Sequence, residues 1–85
     1  MFIKANYAYS MLSDAAHCRD VEKILKSWPE VKYEATEFIK VENDLIEDGE
    51  MWMTCYLIVC KPNIWIHLCE EFKKLGDDFK EYRAI

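Results

Sequence analysis

Two histidine–cysteine pairs are the first candidates for chemistry in this sequence, because imidazole and thiolate are preferred ligands of zinc. His17 directly precedes Cys18, and His67 lies two residues before Cys69. In both pairs the cysteine falls on the apolar stripe of a predicted helix and the histidine falls towards its polar face. No C-x-x-C motif occurs either. We therefore predict buried thiols and surface imidazoles, and no metal site.

The sequence patterns for nucleophilic catalysis and for cofactor binding are no stronger than the pattern for a metal site. The cysteines lie in apolar surroundings, which raise the pKa of a thiol, and the chain has no glycine-rich phosphate loop. Tyr7, Tyr9 and His67 are loose candidates for a sheet-lined pocket, so a small-ligand-binding or enzyme domain stays open as an alternative. Our prediction is a protein that is not an enzyme and that carries no cofactor.

A third cluster consists of acids. Residues 42–50, called the acidic segment below, hold five acids and no base, whereas the whole chain has 16 acids, 11 bases and a net charge of -5. The segment therefore accounts for the whole charge excess. Such runs are commonly solvated loops, but Leu45 and Ile46 at its centre gain nothing from solvent and could anchor a basic partner that the acids attract. The candidate partner-binding residues are Glu42, Asp44, Leu45, Ile46, Glu47, Asp48 and Glu50.

Hydrophobic periodicity predicts the elements of the first half of the chain. Alternation over residues 2–10 predicts a strand, and an apolar stripe that follows Ser13 and Asp14 predicts a helix ending before Pro29. Alternation returns over residues 31–41, which predicts a second strand. Glu37 interrupts its apolar face and indicates a bulge or an edge position there.

The second half repeats this order. Asp48-Gly49 is the strongest turn signal and predicts a hairpin into a central apolar strand over residues 51–60. A second amphipathic helix follows Pro62 and ends at Gly76, and the tail is either a further helical turn or a short strand over residues 82–85. This order predicts one α+β domain over residues 1–85, on the ferredoxin-like split βαβ plan βαββα(β). Both helices would lie on one face of an antiparallel sheet.

The alternation also predicts which strand residues face the helices. The predicted core is the odd-numbered set: Ile3, Ala5, Tyr7, Val31, Tyr33, Ile39, Met53, Cys55, Leu57 and Val59. The even-numbered set would form an open face, more apolar than a small monomer usually leaves in water. Its interface candidates are Phe2, Phe38, Trp52, Tyr56 and Ile58. We predict that a second copy of the chain, or the chain's own C-terminal tail, covers this face. A different protein, or single-stranded nucleic acid stacked on the rings, is the alternative.

Compartment and partner class follow from composition. No apolar run approaches the ~20 residues of a membrane span, the N-terminal residues lack the features of a signal peptide, and the four cysteines are irregularly spaced. We expect a cytoplasmic protein and no membrane contact. The sequence thus predicts a small acidic protein-interaction module, a non-enzymatic antagonist or regulator that binds a basic, nucleic-acid-handling protein through the acidic segment. Binding of single-stranded RNA is the alternative, although the third strand lacks the usual RNA-recognition motif.

Overall fold

Four strands and two helices make up the computed structural model, which describes residues 5–12, 15–41, 50–76 and 80–85. The elements are β1 (Tyr7–Leu12), α1 (Ala15–Lys26), β2 (Lys32–Val41), β3 (Glu50–Val59), α2 (Pro62–Lys74) and β4 (Lys80–Ala84). All neighbouring strands pair antiparallel, in the order β2-β3-β1-β4. The prediction of an α+β fold with an antiparallel sheet and two helices is confirmed. Among the described residues, no helix has the length and apolar character needed to cross a membrane.

Both helices bury one apolar stripe against the same face of the sheet. In α1 the stripe is centred on Val21 and Leu25, four residues apart and fully buried. In α2 three residues at intervals of four do the same, namely Ile64, Leu68 and Phe72. These five side chains form one cluster with buried residues of β1 and β3. The sheet face opposite the helices is called the open face below.

The ends of α2 have clear local causes. Pro62 occupies the first helical turn, where its missing N–H removes no helical hydrogen bond. At the other end Gly76 has a φ of 64°, and its N–H donates to the Lys73 carbonyl at 3.3 Å. This left-handed conformation suits glycine and ends the helix where the sequence predicts.

Several element boundaries differ from the sequence-based prediction. β1 begins at Tyr7 rather than at residue 2, and Ala5 and Asn6 precede it without strand structure. Residues 1–4, 13–14, 42–49 and 77–79 lie outside the described part of the chain, and these include Ser13 and Asp14, after which the sequence predicts the first helix. The tail, left open between helix and strand, contributes β4.

The second strand lies at an edge of the sheet and has no bulge. Its pairing with β3 runs without a break from Lys32 opposite Val59 to Val41 opposite Glu50, and Glu37 sits opposite Thr54. Of the two explanations for the acid at this position, the edge strand is therefore the correct one.

The predicted facing of β3 is wrong. Tyr7 pairs with Ile58 and Tyr9 with Tyr56, so these four side chains share the helix-covered face. Tyr56 and Ile58 are only 1% and 0% exposed, respectively. The odd-numbered residues of β3, predicted as core, lie on the open face: Met53 is buried there, whereas Cys55, Leu57 and Val59 are half-buried. Because β3 is apolar on both faces, its own sequence does not define its orientation; its pairing with β1 does.

Candidate protein-interaction site

Among the described residues, the pairing of β2 with β3 extends further than the pairing of β3 with β1. The last described pair of β1 and β3 is Leu12 with Met53. In the described part of the chain, residues 50–52 of β3 then pair only with residues 39–41 of β2, ending at Val41 opposite Glu50. We call these two paired segments the ribbon end. Residues 42–49 connect its two strands, so the acidic segment is attached to this ribbon end.

Trp52 is a large apolar side chain of the ribbon end that is exposed to solvent. It pairs with Ile39 and, by alternation, lies on the same face as Tyr56 and Ile58. It is nevertheless 57% exposed, whereas Thr54, two residues further along β3 on the same face, is 2% exposed and has its hydroxyl 3.6 Å from the Cys18 thiol of α1. An exposed indole adjoining a run of five acids is a combination that a purely solvating loop does not need.

The remaining members of the predicted interface are divided by the structure. Phe38 lies on the open face opposite Met53 and is 39% exposed. Tyr56 and Ile58 are buried under the helices, so the prediction that they share an open surface with Phe38 is wrong. Phe2 lies outside the described residues, as do Glu42, Asp44, Leu45, Ile46, Glu47 and Asp48. Glu50 is the first residue of β3.

Tyr56 joins β3 to α1 instead. Its hydroxyl donates to the carbonyl of Cys18 at 3.4 Å, and the Cys18 thiol lies 3.6 Å from the Thr54 hydroxyl. Burial raises the pKa of the Tyr56 phenol well above its ordinary value of 10.0, and the hydrogen bond to Cys18 acts in the same direction. The phenol is therefore a neutral hydrogen-bond donor inside the fold.

The loose candidates for a sheet-lined pocket do not converge. Tyr7 stacks on Trp65 of α2 with ring centres 4.5 Å apart, and Tyr9 stacks on Phe72 at 4.3 Å. His67 lies on the exposed side of α2, where it stacks on Trp28 at 5.9 Å. The tyrosines are thus interior packing groups, and the histidine belongs to a different surface.

That surface includes a shallow groove between the two helices, which sequence analysis missed. It is lined by Ile24, Ser27, Trp28, His67 and Glu71 and has a volume of about 360 Å³. The signal for it was the position of Trp28 at the end of the apolar stripe of α1, next to the helix-stopping proline. Its lining combines one imidazole with one carboxylate and has no further ionisable group.

The cysteines are all free thiols. Burial raises the pKa of Cys60, and the neighbouring Cys69 thiol adds to this effect. Burial also raises the pKa of Cys69, against a smaller opposite effect of Lys73. Within the described part of the chain, no three side chains of the metal-binding types come together.

Comparison with known proteins gives no relative for this arrangement. No protein-family model matches the sequence, and neither curated proteins nor solved structures show significant similarity to it.

Proposed function

We propose that this chain is a small protein-interaction module that binds a basic, nucleic-acid-handling protein through the ribbon end and the acidic segment, and that it acts as an antagonist or regulator of that partner. The observation that carries the proposal is the 57% exposure of Trp52 on a two-stranded extension that leads into the acidic segment. The chain acts by binding rather than by catalysis.

The two features have complementary roles in recognition. Negative charges that are concentrated at one end of a molecule accelerate the encounter with a basic surface and compete with phosphates for it. Tryptophan is among the residues that contribute most when buried in an interface, where its truncation typically costs at least about 2 kcal/mol. The acids thus govern association and salt dependence, while Trp52 governs dissociation.

The alternative of nucleic-acid binding has lost its geometric support. A stacking platform requires several aromatic rings on one accessible face. In the described strands Phe38 is the aromatic residue on the open face, since Trp52 and Tyr56 lie on the other side. The excess negative charge of the chain also opposes phosphate contacts.

The fold and location that we propose are consistent with this role. The strand order β2-β3-β1-β4, with one helix between β1 and β2 and the other between β3 and β4, supports the ferredoxin-like split βαβ plan. The four free cysteines support a reducing compartment such as the cytoplasm.

The test is affinity capture from the native host, with immobilised wild-type protein compared with two variants of the site. Glu47→Lys/Asp48→Lys reverses two acids of the acidic segment, and Trp52→Ala removes the indole. We expect wild type to retain basic nucleic-acid-binding proteins that both variants lose. The recombinant form of the retained protein should then release a labelled oligonucleotide when the wild-type chain is added. The retained protein should bind the Trp52→Ala chain roughly 30-fold more weakly than it binds the wild-type chain, the equivalent of about 2 kcal/mol.

Matched controls separate this site from general charge and hydrophobicity. Asp20→Lys/Glu30→Lys makes the same charge change at exposed positions outside the hairpin, and Ile66→Ala truncates an apolar side chain of α2 that is 60% exposed. Both controls should bind like wild type. Equal capture by the site variants and wild type, or equal losses in the site and control variants, would contradict the proposal.

A further inference from the structure

On the open face of the sheet, one row of paired residues carries opposite charges at its two edges. This row crosses all four strands and consists of Arg83 on β4, Ala8 on β1, Leu57 on β3 and Glu34 on β2. The ends of this row are charged and of opposite sign, and its middle is apolar. Leu57 is half-buried and lies outside the core cluster that the helices cover.

We propose that this face binds a second copy of the same chain, in a dimer whose twofold axis runs parallel to the strands between β1 and β3. This rotation places β4 of one copy over β2 of the other. Arg83 then lies opposite the partner's Glu34, and the symmetric contact forms at the other edge. Along this row the surface is therefore electrostatically complementary to itself in this orientation.

Side-chain size favours the same axis. On the β1 side of the midline the face carries Ala8 and Ser10, which are small, whereas on the β3 side it carries Cys55 and Leu57. The rotation sets each small residue opposite a larger one, so that the partner's Leu57 lies over Ala8. Ala8 and Ser10 are already buried in the single chain, at 3% and 6% exposure, so the larger residues supply the contact area. A twofold axis perpendicular to the strands would instead oppose Arg83 to the partner's Arg83 and leave the small residues facing each other.

The geometry tolerates the usual angle between packed sheets. With strands about 4.8 Å apart and an angle of about 30° between the two sheets, the charged ends of facing rows are offset by only about 4 Å. The long side chains of arginine and glutamate span such an offset at the rim of the interface, while the apolar middle stays in register.

The size of the patch predicts a weak dimer. Four strands by five residues cover roughly 19 by 17 Å, or about 300 Å² in projection per copy. This is less than half of the ~800 Å² that each partner contributes to a stable interface of standard size. Monomer and dimer should therefore exchange, and their ratio should depend on protein concentration.

A charge-exchange experiment tests the axis as well as the face. Arg83→Glu opposes two carboxylates at each rim and Glu34→Arg opposes two guanidinium groups, so each variant alone should dimerise at least about tenfold more weakly than wild type. An equimolar mixture of the Arg83→Glu and Glu34→Arg chains should form heterodimers, because the altered residue of each chain meets a complementary charge on the other. Sedimentation velocity at several concentrations measures both effects.

Controls exclude effects of net charge and folding. Arg19→Glu on α1 and Glu70→Arg on α2 are exposed positions with the same changes in charge, and they should dimerise like wild type. Leu57→Lys should abolish the dimer, and circular dichroism should show that the sheet and helices persist. A wild-type chain that is monomeric at all concentrations would overturn the proposal. So would single variants that dimerise normally, or a mixture that fails to associate.

Discussion

The orientation of β3 can be tested by truncating two neighbouring side chains. Ile58 is fully buried within the cluster that both helices cover, whereas Leu57 is half-buried on the open face. Both substitutions, Ile58→Ala and Leu57→Ala, remove branched apolar side chains from the same strand, so the loss of strand propensity is similar. The difference in unfolding free energy between the two variants therefore reports which face is covered.

The structure sets the expected magnitudes. Loss of a fully buried isoleucine leaves a cavity between sheet and helices and costs about 3 kcal/mol. Loss of a half-buried leucine forfeits about half of a full transfer free energy, or about 1 kcal/mol. In a domain of this size each kcal/mol lowers Tm by roughly 4–8 °C. Ile58→Ala should therefore melt about 8–16 °C below Leu57→Ala.

The assay is urea unfolding followed by circular dichroism, at protein concentrations low enough that the weak dimer is absent. If the free energy of unfolding falls with urea concentration at the same slope in both variants, their denatured states are comparable. A larger loss of stability in Leu57→Ala than in Ile58→Ala would refute the pairing of Tyr7 with Ile58, because that pairing puts Ile58 under the helices.

Three further predictions address other parts of the molecule. The folded state holds the Tyr56 pKa above its ordinary value of 10.0, so above that pH the unfolded chain binds fewer protons than the folded chain, and the free energy of unfolding falls by at most about 1.4 kcal/mol per pH unit. Tyr56→Phe should flatten this dependence in urea titrations between pH 8 and 11, and an unchanged dependence would contradict the assignment. Trp52→Phe should remove most of the acrylamide-quenchable tryptophan fluorescence, whereas Trp65→Phe, which alters a half-buried ring stacked on Tyr7, should not. Gly76→Ala should cost about 1 kcal/mol in thermal unfolding, because the added Cβ meets no atom within 4 Å and the penalty comes from the φ of 64° alone; a neutral effect would argue against the left-handed helix end.

The helices were predictable from sequence because each has a single apolar stripe and a local stop signal. Val21 and Leu25 define the buried side of α1, and Pro62 and Gly76 mark the limits of α2. Alternation likewise defined β2, whose Lys32 is exposed while Val31 just before it is buried. Where polar and apolar residues separate cleanly, periodicity specifies both the element and its orientation.

The candidate site was less predictable because it depends on pairing over long sequence distances. Trp52 is exposed although it lies next to Met53, which forms the last described pair of β1 and β3, and no local pattern encodes that register. The burial of Tyr56 depends in the same way on its register with Tyr9. An apolar strand with aromatic residues on both faces offers two equivalent orientations until its neighbours select one.

The position of β1 between β3 and β4 has a consequence for biosynthesis. β1 leaves the ribosome before either of its two neighbours, and Tyr9 acquires its stacking partners Phe72 and Tyr82 only when the last helix and strand have emerged. The nascent chain must therefore keep an apolar strand unpaired until β3 has emerged. This is the interval in which such a strand is most open to chaperones and to aggregation, so slowing synthesis between β1 and β3 should lower the yield of native protein.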